Sequence, residues 1–272
     1  MADLVCIDWL DEHLETDSVK LLDCTWSLPG ENTPLPTGYI PGSQYFDIDR
    51  IADLSSHMTH MLPSAQDFAK AISDMGIKNS DHVICYDKYG IRSAPRVWWT
   101  FKTFGHEKVS ILNGGLPSWI KANKILVSNF ISPRPSNEYV VSDSLIKVAN
   151  KDFVYKSMNT EYQIVDARPA GRFIGKTPEP REGLRSGHIP GSLSFPFGST
   201  LASDGTYFPL SHLASLVGEA GISLERPIIT SCGSGVTAAG IAHVFYRLGA
   251  RDITLYDGSW TEWGASDLPV EL

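Results

Sequence analysis

The sequence predicts an α/β protein of two tandem domains, each a parallel sheet flanked by helices on both faces. Three observations support this prediction. The chain has 272 residues, about right for two domains of ordinary size. Each half alternates short apolar runs, typical of buried strands, with amphipathic runs typical of helices. The second half also repeats the motifs of the first half in the same order.

The internal repeat is visible in three pairs of segments: an apolar strand, a glycine turn, and a longer stretch that ends in tryptophan. The pairs are residues 21–24 with 164–167, 38–43 with 187–192, and 105–119 with 249–263. A repeat of this length indicates a duplicated domain and not a solenoid. We therefore predict an N-terminal domain over residues 1–127 and a C-terminal domain over 138–272. The polar, proline-bearing stretch 128–137 is typical of a linker.

Strands and helices are predicted at matching places in the two halves. The strands are 21–24, 83–86, 164–167 and 227–230, and the helices are 64–75, 94–104, 211–220 and 237–248. Ser64 followed by Asp67 resembles a capping box, which marks the start of a helix. Gly76 and Gly221 stand where the preceding helix is expected to end.

Composition narrows the class of protein and of partner. Apolar residues make up 42% of the chain and charged residues 20%, which is typical of a soluble globular protein. The net charge of −8 argues against nucleic acid or an anionic membrane as a partner, because both require a basic surface. The N-terminus carries no basic residue before Lys20 and resembles neither a secretory signal nor a transit peptide, so we expect a cytoplasmic protein.

The four cysteines are far apart in the sequence and form no metal-ligand motif. They are Cys6, Cys24, Cys85 and Cys232. The sequence therefore predicts no zinc site, no disulfide framework and no cofactor. Cys24 and Cys85 lie inside apolar strands and are expected to be buried packing residues.

The sequence around Cys232 differs from that around the other cysteines. An apolar, β-branched strand precedes it, a helix follows it, and Gly233, Ser234 and Gly235 lie between the two. In such a loop the backbone amides and the helix N-terminus point into one concavity, which favours an anion and hence a thiolate. The alternative is a small buried hydrophobic residue, but glycines are typical of places where the backbone approaches another group closely.

The first half has a corresponding strand, loop and helix over residues 83–97, without a cysteine in the loop. Alignment from the strand places Asp87 opposite Cys232, whereas alignment from the helix places Lys88 there. We therefore expect the first loop to be one residue longer than the second. Neither residue is a sulfur nucleophile, so only the second half is predicted to be chemically active.

These residues resemble the tandem-domain rhodanese sulfurtransferases along nearly the whole chain. The loop over residues 232–237 is similar to that of the 3-mercaptopyruvate-specific branch of the family. Thiosulfate-preferring members typically carry basic residues inside the loop, and this loop has none. The resemblance implies two rhodanese-like domains and a nucleophile at Cys232. It also implies substrate-binding positions in the loop, at Gly233, Gly235, Val236 and Thr237.

The resemblance also implies a substrate clamp made by Arg172 and Arg181, which stand in a Gly-Arg-Phe…Glu-Pro-Arg segment. In the family these arginines hold the carboxylate and the keto oxygen of the substrate. A planar guanidinium can donate to two oxygens at once, and this geometry suits an α-keto acid. The alternative is a pair of solvated loop arginines.

A Ser/His/Asp relay is implied in the same way. Matching residue by residue assigns the serine to Ser234, the histidine to His60 and the carboxylate to Asp49. His57 competes with His60, but the Met-Leu-Pro that follows His60 fits the family pattern better. Without the resemblance, His60 and Asp49 would be interpreted as a surface pair.

The resulting hypothesis is double displacement through a Cys232 persulfide, with 3-mercaptopyruvate as donor and pyruvate as product. The acceptor is cyanide, a small thiol or a reduced thioredoxin, and the sequence does not choose among them. Three rivals remain. One is a thiosulfate sulfurtransferase; another is a cysteine phosphatase, which would need an arginine in the loop. The third is a sulfur-carrier or regulatory module, in which Arg172 and Arg181 would have no substrate to hold.

Overall fold

A computed structural model describes residues 2–28, 30–135 and 139–272. It divides into two compact units, each assembled from separate stretches of the chain. The first comprises Met1–Leu54, Leu62–Leu145 and Ala202–Tyr207, and the second Ser55–Met61, Ile146–Leu201 and Phe208–Leu272. Of the predicted linker, Ser136 and Asn137 lie outside the described residues. The domain limits given above stay a prediction.

The first unit contains a five-stranded parallel sheet. Its strands are β1 (Leu4–Val5), β2 (Val19–Asp23), β3 (Ser43–Tyr45), β4 (His82–Tyr86) and β5 (Val109–Leu112), in the order β1-β5-β4-β2-β3. The helices are α1 (Ile7–His13), α2 (Ala65–Asp74), α3 (Ala94–Thr103) and α4 (Gly115–Lys121). The middle strand, β4, is buried along its whole length, as expected for a strand covered on both faces.

The second unit repeats this topology. Its strands are β6 (Lys147–Ala149), β7 (Gln163–Asp166), β8 (Leu193–Ser194), β9 (Ile228–Ser231) and β10 (Ile253–Tyr256), in the order β6-β10-β9-β7-β8, also all parallel. The helices are α5 (Lys151–Ser157), α6 (Ala170–Phe173), α7 (Leu210–Glu219), α8 (Val236–Arg247) and α9 (Ser259–Trp263), with a 3-10 helix at Phe197–Thr200. The predicted α/β class and the duplication are therefore confirmed.

The predicted helix boundaries agree with the structure to within one residue. Ser64 caps α2: its Oγ accepts a hydrogen bond from the Asp67 amide (3.1 Å) and donates one to the Asp67 carboxylate (2.7 Å). Gly76 and Gly221 follow α2 and α7 with φ of 69° and 71°, a left-handed conformation that glycine adopts without a steric penalty.

The cores of the two units also contain matching residues. Trp119 of α4 and Trp263 of α9 are both buried, and each indole donates to a carbonyl six residues later, at Ile125 (2.8 Å) and Pro269 (2.9 Å). Cys24 and Cys85 are fully buried, as predicted. Among the described residues, no helix combines the length and the apolar character needed to cross a bilayer.

Candidate active site

Cys232 directly follows the middle strand of the second sheet, at its carboxyl end, and α8 begins four residues later at Val236. The turn between them closes at Gly235, whose φ of 79° is left-handed and favours glycine. Cys232 and Val236 are 2% and 3% exposed, and Thr237 is half-buried. The thiol therefore lies at the carboxyl end of a parallel strand, where ligands of open α/β sheets bind.

The start of α9 holds the loop backbone from one side. Ser259 Oγ accepts a hydrogen bond from the Cys232 amide (3.1 Å) and donates one to the Tyr256 carbonyl (2.8 Å). Ser259 has a φ of 47°, which is unusual for a residue with a side chain. Ser259 was not among the predicted site residues. The repeat carried a signal for it, since Ser259 matches Gly115, whose φ is also positive, at 50°.

Arg172 and Arg181 lie over Gly233. A Cβ atom on Gly233 would come within 3.2 Å of Arg172 Nη2 and 3.9 Å of Arg181 Nη1. Arg181 Nη2 is also 3.4 Å from Ser234 Oγ. The structure therefore brings both predicted arginines to the cysteine loop. The absence of a side chain at Gly233 favours this approach, because a Cβ atom there would be tight against Arg172 Nη2.

A buried ion cluster holds Arg172 in place. Both oxygens of Glu179 accept from Arg172, through Nε (3.2 Å) and Nη2, and the Glu179 side chain is only 2% exposed. Arg168, 1% exposed, donates to Glu179 (2.8 Å) and to Asp166 (2.6 Å). Burial alone would lower the pKa of Arg168, but Asp166 and Glu179 together raise it. The sequence indicates Glu179 only as part of a motif and gives no functional signal for Arg168 or Asp166.

His60 contacts the loop serine. The segment Ser55–Met61 belongs to the second unit, and His60 Nδ1 lies 3.0 Å from Ser234 Oγ. His60 is 4% exposed and has a φ of 66°, a strained conformation of the kind found at functional sites. The neighbouring Thr59 Oγ1 accepts from Arg181 Nη2 at 3.3 Å. His57 is exposed. Of the two candidate histidines, His60 is therefore the one placed beside Ser234.

Asp49, the third predicted member of the relay, lies in the first unit. Its Oδ2 accepts a hydrogen bond from the Trp26 indole at 3.1 Å, and its amide donates to Asp47 at 3.0 Å. These contacts hold the carboxylate in a defined position within that unit. Its assignment to the relay stays a prediction.

The corresponding loop of the first unit is longer than the cysteine loop. Seven residues, 87–93, separate β4 from α3, whereas four, 232–235, separate β9 from α8. Two of the three additional residues arise because α8 begins two residues earlier than α3 when the ends of the two helices are aligned. From the last strand residue to the glycine after the helix, the first unit spans 86–105 and the second 231–249, so the first is one residue longer, as predicted. The sequence pattern around the loop does not reveal how the chain uses these residues, because the reason lies in the contacts of a single side chain.

That side chain is Asp87, which is fully buried at the position that follows the middle strand. Its Oδ2 accepts from the amides of Arg92 (2.7 Å), Ser93 (2.9 Å) and Ala94 (2.9 Å), and its Oδ1 from that of Tyr89 (2.9 Å). The backbone needs the extra residues to turn around the carboxylate before α3 begins.

Comparison with known proteins agrees with this architecture. The model of the rhodanese-like domain matches residues 7–122 and again 150–266. The 3-mercaptopyruvate sulfurtransferase of Escherichia coli K12 is 40% identical over 97% of this chain and 96% of its own. Thiosulfate/3-mercaptopyruvate sulfurtransferase 1, mitochondrial, of Arabidopsis thaliana is 40% identical over 98% of this chain and 78% of its own. The crystal structure of Tum1 from Saccharomyces cerevisiae superposes with a TM-score of 0.88 at 31% identity, covering 98% of this chain and 96% of that one.

Proposed function

The chain belongs to the rhodanese family and is a sulfurtransferase, and on this premise we propose that it takes sulfur from 3-mercaptopyruvate, releases pyruvate and passes the sulfur to a thiol or cyanide. The observation that carries the proposal is the pair of guanidinium groups over Gly233, one residue from the buried thiol of Cys232. The names of the relatives from Escherichia coli and Arabidopsis thaliana support the choice of donor.

In the first half-reaction the Cys232 thiolate attacks the sulfur of the donor. A sulfur–sulfur bond forms, the carbon–sulfur bond breaks, and its electron pair leaves on carbon as the enolate of pyruvate. The enolate then takes a proton from the Ser234 hydroxyl. His60 replaces that proton through the 3.0 Å contact between its Nδ1 and Ser234 Oγ. Asp49 is proposed to orient His60, as the family resemblance implies.

Arg172 and Arg181 bind the donor. Both guanidinium groups face the loop, so a carboxylate and an adjacent keto oxygen have two planar donors available in one place. The loop glycines, together with Val236 and Thr237 at the start of α8, contribute backbone amides toward the sulfur. This binding directs the donor sulfur at Cys232.

In the second half-reaction an acceptor attacks the outer sulfur of the persulfide, and Cys232 leaves as a thiolate. Cyanide gives thiocyanate; a small thiol or a reduced thioredoxin takes the sulfur as its own persulfide. The net charge of −8 disfavours nucleic acid and anionic membranes as partners. A cytoplasmic location stays a prediction, and the name of the Arabidopsis relative places that protein in mitochondria.

Thiosulfate is the second candidate donor, since the Arabidopsis relative is named for both donors. The uncharged loop disfavours it, because a dianion would need more positive charge near the thiol. A cysteine phosphatase is disfavoured because residues 232–246 contain no arginine. A carrier module would leave the arrangement of Arg172 and Arg181 without a substrate to explain it.

In the test, the protein receives 3-mercaptopyruvate and cyanide, and the pyruvate and thiocyanate that form are measured. The Cys232 persulfide is detected by mass spectrometry. We expect equal amounts of both products and a mass gain of one sulfur atom on the peptide that contains Cys232. Cys232→Ser should lower both rates by about a thousandfold or more, since the nucleophile is lost. Its circular dichroism should be unchanged. Cys6→Ser, at an exposed cysteine, is the matched control.

Appreciable turnover by Cys232→Ser would refute the nucleophile assignment. If Cys232 takes sulfur from a small-molecule persulfide but releases no pyruvate from 3-mercaptopyruvate, the carrier module would instead be supported.

A further inference from the structure

Five charged residues near the cysteine loop form a group that we call the arginine cluster. Its members are Asp166, Arg168, Arg172, Glu179 and Arg181, joined by ion pairs and by the approach of both outer arginines to Gly233. Within it, Asp166 and Glu179 pair with Arg168 and Arg172, so buried carboxylates offset part of the positive charge near the loop. Arg172 and Arg181 lie at the loop, so the positive charge that remains acts on whatever binds there.

Glu179 acts most directly on that positive charge. Among the residues that the structure describes, it is the one carboxylate that contacts Arg172, and both of its oxygens do so. Its side chain is 2% exposed, so solvent screens its charge poorly. Arg168 also pairs with Glu179. Its own position is fixed by Asp166, by the Gly187 carbonyl (2.8 Å) and by the ring of Trp260 (4.2 Å). The negative charge is therefore held rigidly next to the substrate arginines.

We infer that Glu179 is a specificity-determining residue that favours donors carrying one negative charge over dianions. This inference rests on the proposed function, because it assumes that donors bind at Arg172 and Arg181. The buried Glu179 carboxylate repels a dianion such as thiosulfate more than it repels a singly charged α-keto carboxylate. This repulsion is strong in a site shielded from water.

The test is Glu179→Gln, which preserves the shape of the side chain and an acceptor oxygen but removes the charge. The measured quantity is the ratio of kcat/KM for thiosulfate to kcat/KM for 3-mercaptopyruvate. We expect the ratio to rise about tenfold, since one unit of charge acts on donors that differ by one unit. Inhibition by sulfate relative to pyruvate should strengthen by a similar factor. A purely structural role would weaken both donors and both inhibitors alike.

Three further variants complete the design. Glu225→Gln neutralises an exposed carboxylate before the amino end of β9 and should leave the ratio unchanged. Glu179→Asp keeps the charge and should also keep the ratio, even if activity falls. Asp166→Asn removes the other carboxylate of the cluster and should raise the ratio by a smaller factor. It provides the test if Glu179→Gln does not fold.

An unchanged ratio in Glu179→Gln, or in Asp166→Asn where that variant is the only folded one, overturns the inference. It does not affect the proposed function if the wild-type protein releases pyruvate from 3-mercaptopyruvate. Absence of that activity in the wild-type protein would instead refute the proposed function. The relative inhibition by sulfate and pyruvate would still test the charge argument.

Discussion

Loops 87–93 and 232–235 occupy the same place in the two repeats, directly after the middle strand of each sheet, yet they begin with different groups. The first begins with Asp87, whose carboxylate accepts four backbone amides of its own loop. The second begins with Cys232, and its loop is three residues shorter. The first loop demonstrates that this turn gathers amides around an anion. There the anion is a fixed side chain, so the loop contributes to stability and not to chemistry.

The largest expected effect is that of Asp87→Ala on stability, and it tests whether the first loop depends on its carboxylate. The substitution leaves four amides without their acceptor, two of them buried and two partly buried, and hydrogen bonds to charged groups are costly to lose. We expect the free energy of unfolding to fall by about 3 kcal/mol, measured by chemical denaturation. Cys232→Ala, at the equivalent position, should cost about 1 kcal/mol or less while abolishing activity.

Two controls accompany Asp87→Ala. Glu107→Ala removes an exposed carboxylate of the same unit and should change stability by about 0.5 kcal/mol at most. Asp87→Asn retains an acceptor oxygen and should fall between the alanine variant and the wild type. If Asp87→Ala unfolds like the wild-type protein, the carboxylate does not hold the first loop together, and the comparison of the two loops fails.

The sequence predicted most of the fold because apolar periodicity and the repeat are local patterns. The helix starting at Ala65, for example, follows from Ser64, Asp67 and the spacing of apolar residues. The sequence predicted less about the contacts that fix the two loops. The four amides around Asp87 and the approach of Arg172 to Gly233 depend on side-chain positions that no periodic pattern encodes.

The second prediction concerns Ser234→Ala in the active loop. Removing the hydroxyl removes the proposed proton donor to the enolate, so kcat with 3-mercaptopyruvate should fall about a hundredfold while KM changes little. Turnover of thiosulfate should fall less, because sulfite leaves as a stable anion that needs no proton. Steady-state kinetics with both donors measures the difference.

Ser231→Ala is the control for this variant. The hydroxyl of Ser231 is buried, and it makes no hydrogen bond to any part of the chain that the structure describes. Its removal should therefore leave the kinetics near those of the wild type. An equal loss with both donors in Ser234→Ala would assign Ser234 to general loop structure and remove it from the relay.

The smallest expected effects are those of replacing one glycine in each loop by alanine. In Gly233→Ala the new Cβ would lie 3.2 Å from Arg172 Nη2, which Glu179 holds in place, so the guanidinium must shift by a few tenths of an ångström. We expect KM for 3-mercaptopyruvate to rise about threefold to tenfold, with little change in stability. In Gly90→Ala the Cβ would lie 2.8 Å from the backbone of Gly205, at a φ of 105°. That variant should instead lose about 2 kcal/mol of stability. If Gly233→Ala loses stability and keeps its KM, then that glycine serves the turn and not the arginines, and the two loops are more alike than their contacts indicate.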